Sequence, residues 1–84
     1  WTVLILRDLF VQGARRYQDF LESIENISPN TLSNRLKKLE EHGIVERRFY
    51  SDHPPRAEYH LTHLGQSLGP IMVALRDWGR KNPA

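Results

Sequence analysis

The chain has no cysteine, which excludes disulfides, thiolate metal sites and thiol-based redox sensing within its 84 residues. Apolar runs such as Val3 to Leu6 are far too short to span a bilayer, so no membrane association is expected. No signal peptide is visible, and the expected location is cytoplasmic. Strong charge of either sign is also missing: the formal net charge is +2, so its distribution says more than its sum. Glycine-rich phosphate loops, nucleophile elbows and triad spacings are absent, and adjacent Glu40 and Glu41 cannot share one helical face as an acid–base pair. No catalysis and no cofactor are expected.

With 39% hydrophobic and 26% charged residues, the composition is that of one small folded domain. Positive charge gathers at Arg35, Lys37, Lys38, Arg47, Arg48 and Arg56, while nearby acid clusters at Glu40 and Glu41. The chain opens on Trp1, without an initiator methionine and without a cap for a helix already apolar at its first residue. This beginning leads us to expect an N-terminal segment upstream of it.

The most informative stretch runs from Ser28 to Gly43. Ser28 suits the N-cap, Pro29 the first helical position, and Ile27 with Leu32 a hydrophobic staple. Leu32, Leu36 and Leu39 recur at helical spacing on one face, and Gly43 supplies a left-handed stop. The opposite face carries Asn30, Asn34, Lys37 and Lys38, flanked by Thr31 and Ser33. Short polar side chains followed by lysines are what a helix needs to read the major groove of DNA.

Upstream, Trp1 to Phe10 is apolar nearly all round, as in a helix buried in a core or between subunits, and Gly13 breaks it. Tyr17, Phe20, Leu21 and Ile24 mark a second helix reaching Glu25, and Asn26 can take the left-handed conformation that ends it. Two helices joined by a tight turn make a helix-turn-helix. After Gly43 the period shortens to about two. Ile44 to Tyr50 and Ala57 to Leu61 read as the strands of a β-hairpin with residues 51–56 as its tip, a wing that holds His53 and Arg56 outward. The second strand alternates cleanly; the first does not, and its buried face stays unassigned. Thr62 caps a last helix running to about Trp78, with Leu68, Ile71, Leu75 and Trp78 on a seam suited to another helix and Pro70 expected to kink or divide it.

Taken together, Trp1 with Ile5-Leu6, Gly13 with Arg16-Tyr17, Ile27-Ser28, Leu32, Arg35-Leu36, Leu39-Glu40, Gly43-Ile44-Val45 with Arg47, Pro55 with Glu58-Tyr59, Leu61-Thr62 with Gly65, Leu68 and Trp78-Gly79 make a pattern that resembles the HxlR-type regulators, bacterial winged helix-turn-helix proteins related to the MarR group. The resemblance covers essentially the whole chain. It implies a homodimer that binds operator DNA, repressing or activating nearby genes, with dimerisation through terminal helices. Two departures stand out: the N-terminal dimer helix and the upstream cysteine that many members use for sensing are not in this sequence.

The expected fold class is therefore mainly α with a small β-hairpin: a three-helix core, a wing and a C-terminal dimerisation helix at residues 63–79. Residues 1–79 form the domain and 80–84 a frayed tail. The expected DNA-contacting set is Arg16, Ser28, Asn30, Thr31, Ser33, Asn34, Lys37, Lys38, Arg48, His53 and Arg56. Residues 28–38 would enter the major groove, and Arg56 would reach the flanking minor groove. The expected dimer contacts are Leu68, Ile71, Leu75 and Trp78, and two-fold symmetry then predicts a pseudo-palindromic operator. Arg35 reads as an internal salt-bridge partner and Trp1 as core. His60 and His63 lack further ligands for a metal. A small-molecule effector is compatible with this reading, with Trp1, Tyr17 and Phe20 as a candidate lining that core packing explains equally well. Two rivals stand beside it: a winged helix serving only protein–protein assembly, and an enzyme or ligand-binding domain on the same scaffold.

Overall fold

In a computed structural model describing residues 1–82, five helical segments and one antiparallel hairpin follow in the order αααββαα. Helix α1, Thr2–Gln12, buries Ile5, Leu6 and Leu9. Val3 and Val11, on other faces of the same helix, stay exposed. Gly13, at φ 80°, donates its N–H to the Leu9 carbonyl at 2.9 Å and lets the chain leave the helix. Trp1 is 44% exposed, so it is not the core residue expected; it precedes the first turn of α1 and lines a surface groove with Ser23 to Asn26.

Helix α2 spans Tyr17–Ser23, two residues shorter than its apolar spacing predicts. Ile24 is extended and buried, and Asn26 adopts φ 66°, so the chain turns early to seat Ile24 and Ile27 in the core. Helix α3, Pro29–Glu41, matches its sequence signals closely. Ser28 Oγ accepts the Thr31 N–H at 3.1 Å, and Leu32, Leu36 and Leu39 are buried. Burying each such leucine contributes about 2 kcal/mol. Gly43, at φ 71°, turns the chain out of α3.

Strands β1, Val45–Asp52, and β2, Pro55–Leu61, pair antiparallel with Val45 opposite Leu61 and Arg47 opposite Tyr59. The expected six-residue tip, 51–56, is in fact two residues, because Ser51 pairs with Arg56 and Asp52 with Pro55. Proline is tolerated there because it opens an edge strand, where no ladder N–H is required of it. The register slips between Phe49 and Ser51, leaving Tyr50 as a bulge. The face left open by the sequence is the one carrying Val45, Arg47 and Phe49. Only its base is covered: Val45 is buried, whereas Phe49 is 58% exposed. Most of the outer part of β1, from Arg47 to Tyr50, is exposed, which is why β1 does not alternate.

Tyr59 meets Phe20 edge-to-face with ring centroids 6.1 Å apart, tying the wing to the helical core. Burial pushes its phenol up, with the negative charge of Glu40 adding to the effect. Helix α4, His63–Gln66, is capped by Thr62, whose Oγ accepts the Gly65 N–H at 3.1 Å. Helix α5, Gly69–Lys81, is separate from it. Pro70 sits in the first turn of α5, where its missing N–H costs nothing, so the proline divides the expected continuous helix. Arg80 and Lys81 are helical rather than frayed, and Asn82 ends the helix with its side-chain amide donating to the Trp78 carbonyl at 3.0 Å; Pro83 and Ala84 of that expected tail lie outside the described residues.

Candidate nucleic-acid interface

The outward face of α3 is built by its inward one. Three buried leucines fix the helix rotation, and Asn30, Ser33, Asn34, Lys37 and Lys38 are thereby left exposed. Among the described residues, Asn30, Asn34, Lys37 and Lys38 make no side-chain hydrogen bond or ion pair within the chain. The amides present donors and acceptors suited to base edges, and the ammonium groups suit phosphates.

Other members of the expected set are already engaged. Ser28 Oγ caps α3 and donates to Thr31 Oγ1 at 2.9 Å, and Thr31 is half-buried. Ser33 Oγ lies 3.0 Å from the Tyr17 hydroxyl. Arg16 sits at the N-cap of α2: its backbone N–H donates to Asp19 Oδ2 at 2.9 Å and its guanidinium lies 3.4 Å from Asp19 Oδ1. The backbone N–H of Arg16 and then its guanidinium hold the Asp19 carboxyl below the usual carboxylate range. Arg48 pairs with Glu46, two residues away on the same strand. These exposed pairs contribute little stability and can exchange for a phosphate.

On the wing, His53 occupies the turn and Arg56 begins the inward run of β2, both exposed. Arg47 instead closes the wing onto α3, with its Nε 3.5 Å from Glu40 Oε1 and its guanidinium 5.5 Å from the Phe49 ring centroid. Arg35, expected in an internal salt bridge, is exposed and has no acidic partner among the described residues, because it lies on the solvent side of the leucine stripe. His60 Nε2 lies 3.2 Å from Glu58 Oε2.

The candidate effector lining does not assemble. Phe20 is fully buried, Tyr17 bonds to α3, and Trp1 lines a different surface. The expected dimer seam divides: Leu68 is half-buried against the chain's own core, while Ile71, Leu75 and Trp78 are exposed. Sequence reasoning missed the other wall of that surface. Val3, Phe10, Met72, Val73 and Leu75, with Arg7 and Arg76, line an apolar groove of about 390 Å³ between α1 and α5. The all-round apolar character of α1 was its only signal.

Helix α3 held by α2 and followed directly by a hairpin defines a winged helix-turn-helix domain. The chain belongs to the HxlR-like helix-turn-helix family, whose description fits residues 1–84. It is similar to the redox regulator HypR in its oxidized form, with a TM-score of 0.88 and 32% identity over 100% of this chain and 86% of that one. The reduced form of the transcriptional regulator YodB from B. subtilis gives a TM-score of 0.85 and 32% identity, covering 99% of this chain and 80% of that one. In sequence, the HTH-type transcriptional regulator sll1512 of Synechocystis sp. is 42% identical over 79 residues, 94% of this chain and 58% of that protein. YdeP of Bacillus subtilis is 33% identical over 81 residues, 96% of this chain and 62% of that protein. The chain thus spans about three fifths of the length of these curated relatives. Among the described residues, no helix is long and apolar enough to cross a membrane.

Proposed function

We propose that this chain is the DNA-binding domain of a bacterial transcriptional regulator that acts as a homodimer on a pseudo-palindromic operator. The observation that carries this reading is the exposed, internally unpartnered row Asn30, Asn34, Lys37 and Lys38 on a helix followed by a wing. Helix α3 enters the major groove. Its asparagines read base edges and its lysines hold phosphates, while His53 and Arg56 on the wing reach the flanking backbone and minor groove. Arg16 and Arg48 join by releasing Asp19 and Glu46 for phosphate oxygens. Ser28 and Thr31 contribute by fixing the start of α3, where the helix N–H groups approach the backbone.

The second half of the reading rests on α5. It buries none of its residues, yet Ile71, Val73, Leu75 and Trp78 are large, apolar and exposed. An isologous contact through α5 and the outer face of α1 covers them, and its two-fold symmetry calls for half-sites about one turn of DNA apart or a multiple of it. The family and the names of the relatives support the DNA-binding half of the reading.

Selection from random duplex DNA with the full-length protein, followed by titration of the winner at several salt concentrations, tests it. An enriched inverted repeat with a steep salt dependence is expected. Weak binding, equal on every sequence, would overturn the reading and favour a winged helix turned to protein partners.

A further inference from the structure

Tyr17 stands on α2, yet its hydroxyl reaches α3: it donates to the Pro29 carbonyl at 2.8 Å and lies 3.0 Å from Ser33 Oγ. A carbonyl only accepts, so the single phenolic proton is committed to Pro29. Ser33 must then be the donor in the second bond, giving its own single proton to the Tyr17 oxygen. What Ser33 presents outward from α3 is a hydroxyl with two lone pairs and no proton.

We infer that Tyr17 is a specificity-determining positioning residue that makes Ser33 an acceptor-only probe of the DNA major groove. The inference rests on the DNA-binding role proposed above. A free serine hydroxyl both donates and accepts, so it tolerates any base edge and also bonds phosphate oxygens. With its proton held by Tyr17, Ser33 accepts only from an amino group, the N6 of adenine or the N4 of cytosine. Phosphate oxygens, the O6 and N7 of guanine and the O4 of thymine are acceptors and gain nothing from it. Ser33 therefore favours adenine or cytosine over guanine or thymine on the strand it faces.

The Tyr17 ring is half-buried against the core and the hydroxyl is its outer end, so Tyr17→Phe keeps the packing, returns the Pro29 carbonyl to its helical N–H partner and to water, and frees the Ser33 proton. The test is selection and quantitative binding with the full-length protein as wild type, Tyr17→Phe, Ser33→Ala and the double variant. In the wild type, one position of each half-site prefers adenine or cytosine, and Ser33→Ala flattens that position alone. Tyr17→Phe relaxes the preference there about threefold to tenfold, as one redirected hydrogen bond requires, and leaves the other positions unchanged. In the Ser33→Ala background, Tyr17→Phe adds nothing to base preference, which a general loosening of the helix would not reproduce. A Tyr17→Phe motif identical to wild type, or one weakened evenly at all positions, overturns the assignment while the DNA-binding reading stands. Absence of any selected motif with the wild type overturns both.

Discussion

Arg15 and Tyr59 exchange two backbone hydrogen bonds, Tyr59 donating at 2.7 Å and Arg15 at 3.1 Å, so a single residue of the α1–α2 link extends the wing as a third strand. The Arg15 side chain is held in turn. Its Nε lies 3.2 Å from Asp8 Oδ2 of α1, and a second nitrogen donates to the Asp19 carbonyl at 3.3 Å. Asp8 also accepts from Ser23 Oγ at 2.7 Å. One carboxylate thereby ties α1, the end of α2 and the strand that anchors the wing.

Asp8→Ala should cost more than an ordinary surface change. The Asp8–Arg15 pair is only 15% and 19% exposed in its two side chains, and the substitution strands a half-buried guanidinium. A loss of about 2 kcal/mol is expected from hydrogen bonds to a charged group. Urea unfolding measures it, and amide hydrogen exchange at Tyr59 should quicken more than exchange within α3. Equal quickening everywhere would mean that Asp8 serves global stability and not the wing in particular.

Asp19 gives the molecule a predictable response to acid. Its carboxyl titrates below the usual range in the folded state, chiefly because it accepts the Arg16 backbone N–H and faces the Arg16 guanidinium. A depressed folded-state pKa means the unfolded chain binds the proton more readily. The stabilisation is therefore complete above the ordinary carboxylate pKa of about 4 and is lost as pH falls through the folded value. Asp19→Asn retains an acceptor for the backbone N–H and removes the charge. Its deficit against wild type in thermal unfolding should be largest near about pH 7 and should shrink as pH falls through the carboxylate range toward the depressed folded value. A deficit that does not change with pH would assign the effect to the hydrogen bond alone.

The α3 signals were legible because each is local. Cap, first-turn proline, leucine stripe and terminal glycine lie within 16 residues, and every one acts through neighbours one or two turns away. The hairpin was legible in kind but not in extent, since the tandem prolines read as loop while the edge of a two-stranded ladder accommodates Pro55. Two features lay beyond periodicity. Tyr17 occupies a helical core position, and nothing in its spacing reveals that its hydroxyl bonds Ser33 across 16 residues of chain. Among the members of the interface set, Arg16 and Arg48 were chosen by charge, and only coordinates place Asp19 and Glu46 beside them.

On the proposed reading Asn34 faces base edges and Lys38 faces phosphates, so the two should separate by experiment. Asn34→Ala removes a group able to pair with adenine, so base preference relaxes at one position per half-site at about 1–3 kcal/mol. Lys38→Ala removes one phosphate neutralisation per protomer, so all sequences weaken alike and the log–log salt slope flattens by about one unit per half-site. Quantitative binding to the selected operator and to scrambled DNA, each across a salt series, gives both readings. Identical behaviour of the two variants on every sequence would dismiss this division of labour on α3.

Ile71→Asp tests the remaining half of the proposal, association through α5. Ile71 is 55% exposed and Trp78 63% exposed, and α5 buries none of its residues within one chain. A carboxylate at position 71 therefore disturbs little of the monomer, and its free energy of unfolding should change by no more than about 0.5 kcal/mol, as at other surface sites. At a two-fold interface the same substitution acts twice and places unpaired charge against apolar surface, so sedimentation should report monomers. DNA binding should then lose the gain from joining two half-sites, roughly hundredfold or more, while contact with a single half-site persists with unchanged base preference. A variant that still sediments as a dimer would move the interface off α5, and one that unfolds would show that α5 is needed by the monomer. The proposed arrangement predicts neither.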